Sequence, residues 1–380
     1  YYEFQAIDRP LDESDKEALR SISSRAEITA TRFTNVYHYG DFHGDSRKLM
    51  ERWFDLHLYL ANWGTRQLML RLPKRLVDRA ALDPFVSAVE EVELLEAGEN
   101  LIIDACFYGE DGESYYAIDG EGEGCLDSIA PLRDSALSGD LRLFYVLWLV
   151  AVEKGVVPAG AEEPLPGIGP LTSPLASLAE FFRIDQDLLS AAAEMPSDAD
   201  GGCSFADVSR ATLQAVPDSE KTALLLRLVD GDPHVAAEVR GKVRTAWAVA
   251  QGQSNCRRRT VAELQGRSRI VRDRRMAEEA RRREEERLRK EREAERARRK
   301  RLDATKARGA RVWDEVEVQV QYVNAPGYNR ATELLVDLRT LAQEAGEMHE
   351  FARHIESIRR RHARKPAFIK RLDRNRLGLG

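Results

Sequence analysis

The sequence predicts an α+β protein: an N-terminal mixed, mainly antiparallel sheet domain, an all-α middle domain, a long charged single helix and a C-terminal helical hairpin. Three observations carry this reading. Through the first 110 residues apolar and polar side chains alternate, and glycine-bearing turns separate the runs. From Leu126 onward the alternation gives way to helical spacing punctuated by Pro and Gly. Across 257–311 apolar residues nearly vanish while Glu and Arg recur four apart. The expected divisions are 1–125, 126–255, 256–311 and 312–380.

Taken in order, 1–7 alternates aromatic and polar residues and reads as a strand. A helix over 12–22 follows with Asp12 as N-cap, then an irregular strand over 28–39 and a short helix over 46–54 capped by Asp45. Two hairpins come next. Strands at 56–60 and 67–72 flank Asn62-Trp63-Gly64-Thr65, and strands at 92–95 and 101–107 flank Ala97-Gly98-Glu99-Asn100. The acidic, glycine-rich stretch 110–127 reads as an exposed loop. Asp140 caps a helix over 141–154 that Gly155 closes. The proline-rich 164–170 is a linker or strap, and helices at 177–194, 205–215, 218–229 and 234–251 complete the middle domain. In 257–311 half of the heptad positions are charged, which argues against a coiled coil. Glu278/Arg282, Glu279/Arg283, Glu285/Arg289, Glu286/Lys290 and Glu295/Arg299 instead support a solvated helix by a few tenths of a kcal/mol each. At about 1.5 Å per residue, forty such residues span roughly 60 Å. Beyond it, 315–320 alternates as a strand would, yet Val312, Val316, Val320 and Val323 form a helical stripe. The helix is preferred because no strand partner is near. Pro326-Gly327 reads as a turn, followed by helices at 329–345 and 347–361 and a basic tail.

An apolar fraction of 43% is ordinary, whereas 32% charged residues exceed the usual quarter. The excess is segregated. Residues 1–255 hold 23 Lys and Arg against 43 Asp and Glu, and residues 256–380 hold 35 against 21. Such asymmetry points to a polyanion, a membrane surface or the other half of the chain as partner. The plainer version, a basic arm lying on an acidic body, stands at least level with nucleic-acid binding. Arg outnumbers Lys 47 to 11, a bias that suggests a GC-rich bacterial genome and weakens any argument from Arg richness. Four cysteines without C-x-x-C spacing argue against a disulfide framework or zinc knuckle and fit a reducing cytosol. The most apolar run, 141–152, is about a dozen residues where a membrane span needs about 20. With no signal pattern at the polar N-terminus, a cytoplasmic protein without a membrane partner is expected.

His38, Asp41, His43 and Asp45 form the densest group of candidate metal ligands, although a loop running into a capped helix explains them without metal. His349 and His354 lie five apart, about 140° around a helix, where the metalloprotease arrangement needs four. The Asp119–Gly124 stretch lacks the bidentate Glu that a calcium loop requires at its twelfth position. There is no phosphate-binding loop, dinucleotide fingerprint or nucleophile elbow. No catalytic residue, cofactor or metal is therefore assigned. Candidate polyanion contacts are Arg281, Arg282, Arg283, Arg298, Arg299, Lys300, Arg301, Arg359, Arg360, Arg361, Arg364 and Lys365, without the aromatic platform that single strands require.

Two resemblances add to this. Residues 1–10 and 38–73, with Tyr-His-Tyr-Gly-Asp and Asn-Trp-Gly-Thr-Arg, resemble a set of uncharacterised actinobacterial-type proteins, which implies no activity. Residues 328–373, with Ala-Thr-Glu-Leu-Leu-Val-Asp-Leu-Arg and Arg-Arg-Arg-His-Ala-Arg-Lys-Pro-Ala-Phe-Ile-Lys-Arg-Leu-Asp, are similar to the helical-repeat tail of some bacterial SWIM-type zinc-finger proteins. The C-x-C and C-x-H ligands of that family are absent, so the resemblance implies a TPR-like hairpin presenting a surface to a partner. The expectation is a non-enzymatic interaction or scaffold protein with an unidentified protein partner, self-association being a further outcome. The alternative is a nucleic-acid-associated accessory protein, and a metal-dependent enzyme at 38–45 is the distant third.

Overall fold

Period-two alternation gives the N-terminal sheet two apolar faces, and helices cover both. The computed structural model describes residues 1–37, 42–109, 122–194, 204–250 and 257–377. The strands are β1 (Tyr2–Gln5), β2 (Glu27–Ile28), β3 (Arg32–Asn35), β4 (Leu56–Leu60), β5 (Arg66–Pro73), β6 (Val92–Ala97) and β7 (Asn100–Phe107). They form one antiparallel sheet in the order β2-β3-β1-β4-β5-β7-β6. The register places Leu58 opposite Leu68, and Leu68 opposite Ala105. Leu56, Leu58, Leu60, Leu68, Leu70, Leu72, Leu101 and Ile103 therefore share one buried face. Phe4, Phe33, Met69 and Ile102 line the other, against α1 (Glu13–Ile22) and α2 (Ser46–Arg52).

The first face is covered by α3 (Arg79–Val86), α4 (Cys125–Ile129), α5 (Pro131–Leu137), α6 (Arg142–Glu153), α7 (Ser173–Phe181) and α8 (Gln186–Ala193). Helix α6 has ten consecutive buried residues, Leu143 to Val152. A helix apolar all round belongs in a core, and among the described residues no single helix is long and apolar enough to cross a membrane. The boundary expected at 125/126 falls inside this shared core, because the first helices of the expected middle domain have no core of their own. Helices α9 (Phe205–Ala215), α10 (Asp218–Val229) and α11 (Val235–Ala250) follow.

The expected strand over 28–39 is two strands, with the chain reversing at Thr29–Thr31 so that Ile28 pairs with Phe33. The Thr29 N–H donates to the Arg32 carbonyl at 2.8 Å and closes the turn. The expected loop 110–127 lies partly outside the described residues, and its end, from Cys125, is helical with Leu126 buried. The Asp140 carboxylate accepts from the Arg142 N–H at 3.2 Å, but the helix begins at Arg142 with Leu141 as its N-cap residue, so Asp140 lies one position before the cap.

The chain divides into two units, Tyr1–Arg275 and Met276–Gly380. Helix α12 (Val261–Arg308) belongs in part to each. Its first turn lies in the core of the first unit, where Val261 and Leu264 are buried. The second unit contains its residues from Met276 onward with α13 (Arg311–Gln321), α14 (Ala325–Ala345), α15 (Met348–Arg361) and α16 (Pro366–Arg374). Val312, Val316, Val320, Leu334, Leu335, Ile355, Ile358, Phe368 and Leu372 form its core. This is more than the expected hairpin, since four helices share one core. Helix α14 also absorbs the expected Pro326-Gly327 turn. Pro is favoured in a first helical turn, and the Asn324 side chain accepts from the Gly327 N–H at 2.7 Å. A Cβ at Gly327 would lie 2.5 Å from the Gln319 carbonyl oxygen, so only glycine fits this approach.

The valine stripe is helical, as preferred, but it ends at Val323, which is exposed and held at φ 48°. A β-branched residue in the left-handed region costs about 1–2 kcal/mol. Val323→Gly is expected to stabilise the second unit by about 1 kcal/mol, partly offset by the greater freedom of glycine in the unfolded chain. A denaturation midpoint that falls would contradict the strain.

Candidate functional site

Buried ionisable groups in the first unit are engaged in holding elements together. Asp55, fully buried, accepts from the backbone N–H groups of Ile7 (2.6 Å) and Asp8 (2.8 Å) and from the Arg71 guanidinium (2.8 Å). Arg133 grips Asp8 with both terminal nitrogens at 2.8 and 2.7 Å, and reaches Asp55 at 3.3 Å. His234 approaches Asp8 at 3.2 Å. Burial disfavours a charged Asp8, yet hydrogen bonds from His234 and Arg133 outweigh it and hold this carboxyl below the usual range. Elsewhere buried Glu163 accepts from the Tyr145 hydroxyl at 2.6 Å and from two Arg259 nitrogens at 2.9 and 2.8 Å. This triad fixes the start of α12. Burial, then the Glu163 charge, pushes the Tyr145 phenol far up, and burial likewise raises the Cys106 thiol. Neither is a poised nucleophile or base.

His38 and Asp41 lie outside the described residues, as do residues 119–121 of the acidic motif. His43 is exposed. Asp45 caps α2, accepting from the Arg47 and Lys48 N–H groups at 3.1 and 3.2 Å. Among the described residues no group of three His, Cys, Asp or Glu is placed to hold a metal ion. His354 makes no site with His349: its ring stacks on Trp313 at 4.7 Å.

The basic residues of α12 are distributed unevenly. Its stretch 276–298, exposed but for a half-buried Glu279, carries nine Lys and Arg against eight Glu. Glu279/Arg283 and Glu286/Lys290 pair as expected, at 3.5 and 2.9 Å. Other arginines turn the opposite way along the helix: Arg281 to Glu285, Arg287 to Glu291 and Arg289 to Glu293. Each such exposed pair adds at most a few tenths of a kcal/mol. The excess positive charge sits at the two ends and meets acids there. Arg272 and Arg275 bind Asp187, and their hydrogen bonds hold its carboxyl down to about 2. Arg299 binds Glu344 and Arg301 binds Asp337. On α15, Arg359, Arg360 and Arg361 pair with Asp373, Glu356 and Glu317. Lys365 donates to the Val320 carbonyl at 2.8 Å. Of the twelve expected polyanion contacts, Arg282, Arg298, Lys300, Arg364 and Lys365 have no ion-pair partner among the described residues, Lys365 being engaged by a carbonyl instead.

Sequence reading missed a groove in the second unit. Residues of α12, α13, α14 and α15 enclose about 370 Å³. Its floor is apolar, with Trp313, Leu338, Leu341, Ala342 and Phe351. Its rim carries Glu344, Glu347, Glu350 and Lys306, with Arg299 pairing with Glu344 and Arg353 with Glu350. Trp313 is half-buried and wedged between His354 and Phe351, the latter 5.9 Å away. An apolar floor within a polar rim is the anatomy of a docking pocket for a bulky side chain. The spacing of the valine stripe in α13 was a usable signal, because it leaves Trp313 beside the buried face. Comparison with known proteins returns no matching family model, no matching curated relative and no matching solved structure.

Proposed function

We propose that this chain is a non-enzymatic protein-interaction scaffold whose C-terminal groove receives a partner segment with a bulky apolar side chain. The observation that carries this is the Trp313 groove, apolar below within a polar rim. The resemblance of 328–373 to a TPR-like helical tail points the same way. Neutralisation of α12 by its own glutamates weighs against a nucleic-acid partner, since phosphate binding draws on uncompensated cations.

The test compares proteins retained from cells by the tagged full chain and by a Trp313→Ala variant whose helical signal is unchanged. Loss of a central aromatic anchor costs about 2 kcal/mol or more, so a specific partner should be depleted roughly tenfold or more. Recovery of nucleic acid that elutes steeply with salt, or an unchanged protein set, would overturn the reading.

A further inference from the structure

Helix α10 carries apolar side chains on two sides. Leu224 turns inward and is buried, whereas Leu225, Leu226, Leu228 and Val229 are 62%, 60%, 56% and 83% exposed. At 100° per residue these four occupy one arc of about 160°, running from about 40° to about 200° around the axis from Leu224. A surface helix normally turns polar residues outward, and scattered single exposures need no explanation. Four adjacent ones form a patch on the order of 400 Å², within the ~300–600 Å² of the largest patch on a typical monomer, which is often functional.

The charged groups of α10 are already engaged within the unit. Lys221 pairs with Asp218, Glu220 with Lys242, and Arg227 with Asp232 and Glu238. The face is thus apolar without a charge pattern that would select a charged partner, and it contains nothing that repels itself. Doubled across a two-fold axis, with apolar area about 60% of an interface, it gives roughly 1,300 Å² in total. That falls within the ~1,200–2,000 Å² of specific interfaces.

We infer that this face is covered by the same face of a second copy, α10 packing on α10 across a two-fold axis. An isologous contact of this kind is self-complementary and closes at the dimer. The test is the solution mass of the full chain by light scattering, at loadings from about 1 µM to about 100 µM, a range that brackets weak dimers. The expected result is a shift from 43.0 kDa toward twice that value. Leu225→Glu with Val229→Glu should raise the dissociation constant about 100-fold or more and leave a monomer with an unchanged helical spectrum. Both side chains point outward, so folding is expected to survive. A wild type that stays monomeric throughout would overturn the inference and assign the face to a different molecule. So would a dimer that persists in the double variant.

Discussion

Replacing Asp55 with alanine should destabilise the first unit by about 3–5 kcal/mol, the usual consequence of removing one member of a buried ion pair. Asp55, itself fully buried, binds four groups. Without it the Ile7 and Asp8 N–H groups lose their acceptor. Arg71 keeps only the Met50 and Glu51 carbonyls, each at 3.1 Å. Arg133, 3% exposed, keeps Asp8 and the Arg71 carbonyl at 2.9 Å. The network joins β1, β4, β5 and α5, so its loss acts on the sheet and on its helical cover together. Asp55→Asn retains one acceptor oxygen and should lose less than the alanine variant. Four of the five tryptophans (53, 63, 148 and 247) lie in this unit, so fluorescence-monitored denaturation follows it. Equal midpoints for wild type and Asp55→Ala would show that the network contributes nothing net.

That network was not legible in the sequence, while the hairpins it supports were. Gly64 takes φ 94° at the β4–β5 turn and Gly98 φ 56° at the β6–β7 turn, and alternation on either side fixed the register. Local patterns of this kind contain their own answer. Helix α3 was missed because Pro84 lies inside it and its eight residues are too few for a clear period. The valine stripe of α13 satisfied two periods at once, and the choice of helix rested on its neighbours. Asp8, Asp55, Arg133 and His234 are separated by up to 226 positions, and nothing local in any of them announces the others. The same holds for Trp313 and His354, which face each other only because α13 and α15 pack on α14. Charge segregation was visible as composition, but its meaning was not. The surplus cations proved to lie at the ends of α12, beside acids from remote segments, and the exposed stretch is close to neutral.

One buried group escaped the sequence reading altogether and sets an expected response to acid. His57 is fully buried on the minor face of β4, stacked on Phe4 at 3.8 Å. Its Nδ1 lies 2.9 Å from the Glu3 carbonyl oxygen. A carbonyl only accepts, so Nδ1 carries the hydrogen and Nε2 is the unprotonated nitrogen, which has no hydrogen-bond partner. Protonation would place a charge in an apolar, aromatic surrounding. Burial accordingly depresses the pKa from 6.5 to about 3, against a smaller upward pull from the Glu3 carbonyl. Above pH 6.5 both folded and unfolded chains hold a neutral imidazole. Below it the unfolded chain takes up a proton that the folded chain refuses, until about pH 3. Stability should fall across that window by about 1.4 kcal/mol per pH unit, or about 3 kcal/mol by pH 4. Asp8, held below the usual carboxyl range, loses its contribution only at lower pH. Glu3, raised by burial, acts in the opposite direction but is present in both proteins to be compared. His57→Phe keeps the stacking and removes the titration. It should be slightly less stable than wild type at pH 7, through loss of the Glu3 contact, and more stable at pH 4.5. Parallel pH profiles for the two proteins, or a His57 ring that titrates near 6.5 by NMR, would refute this account.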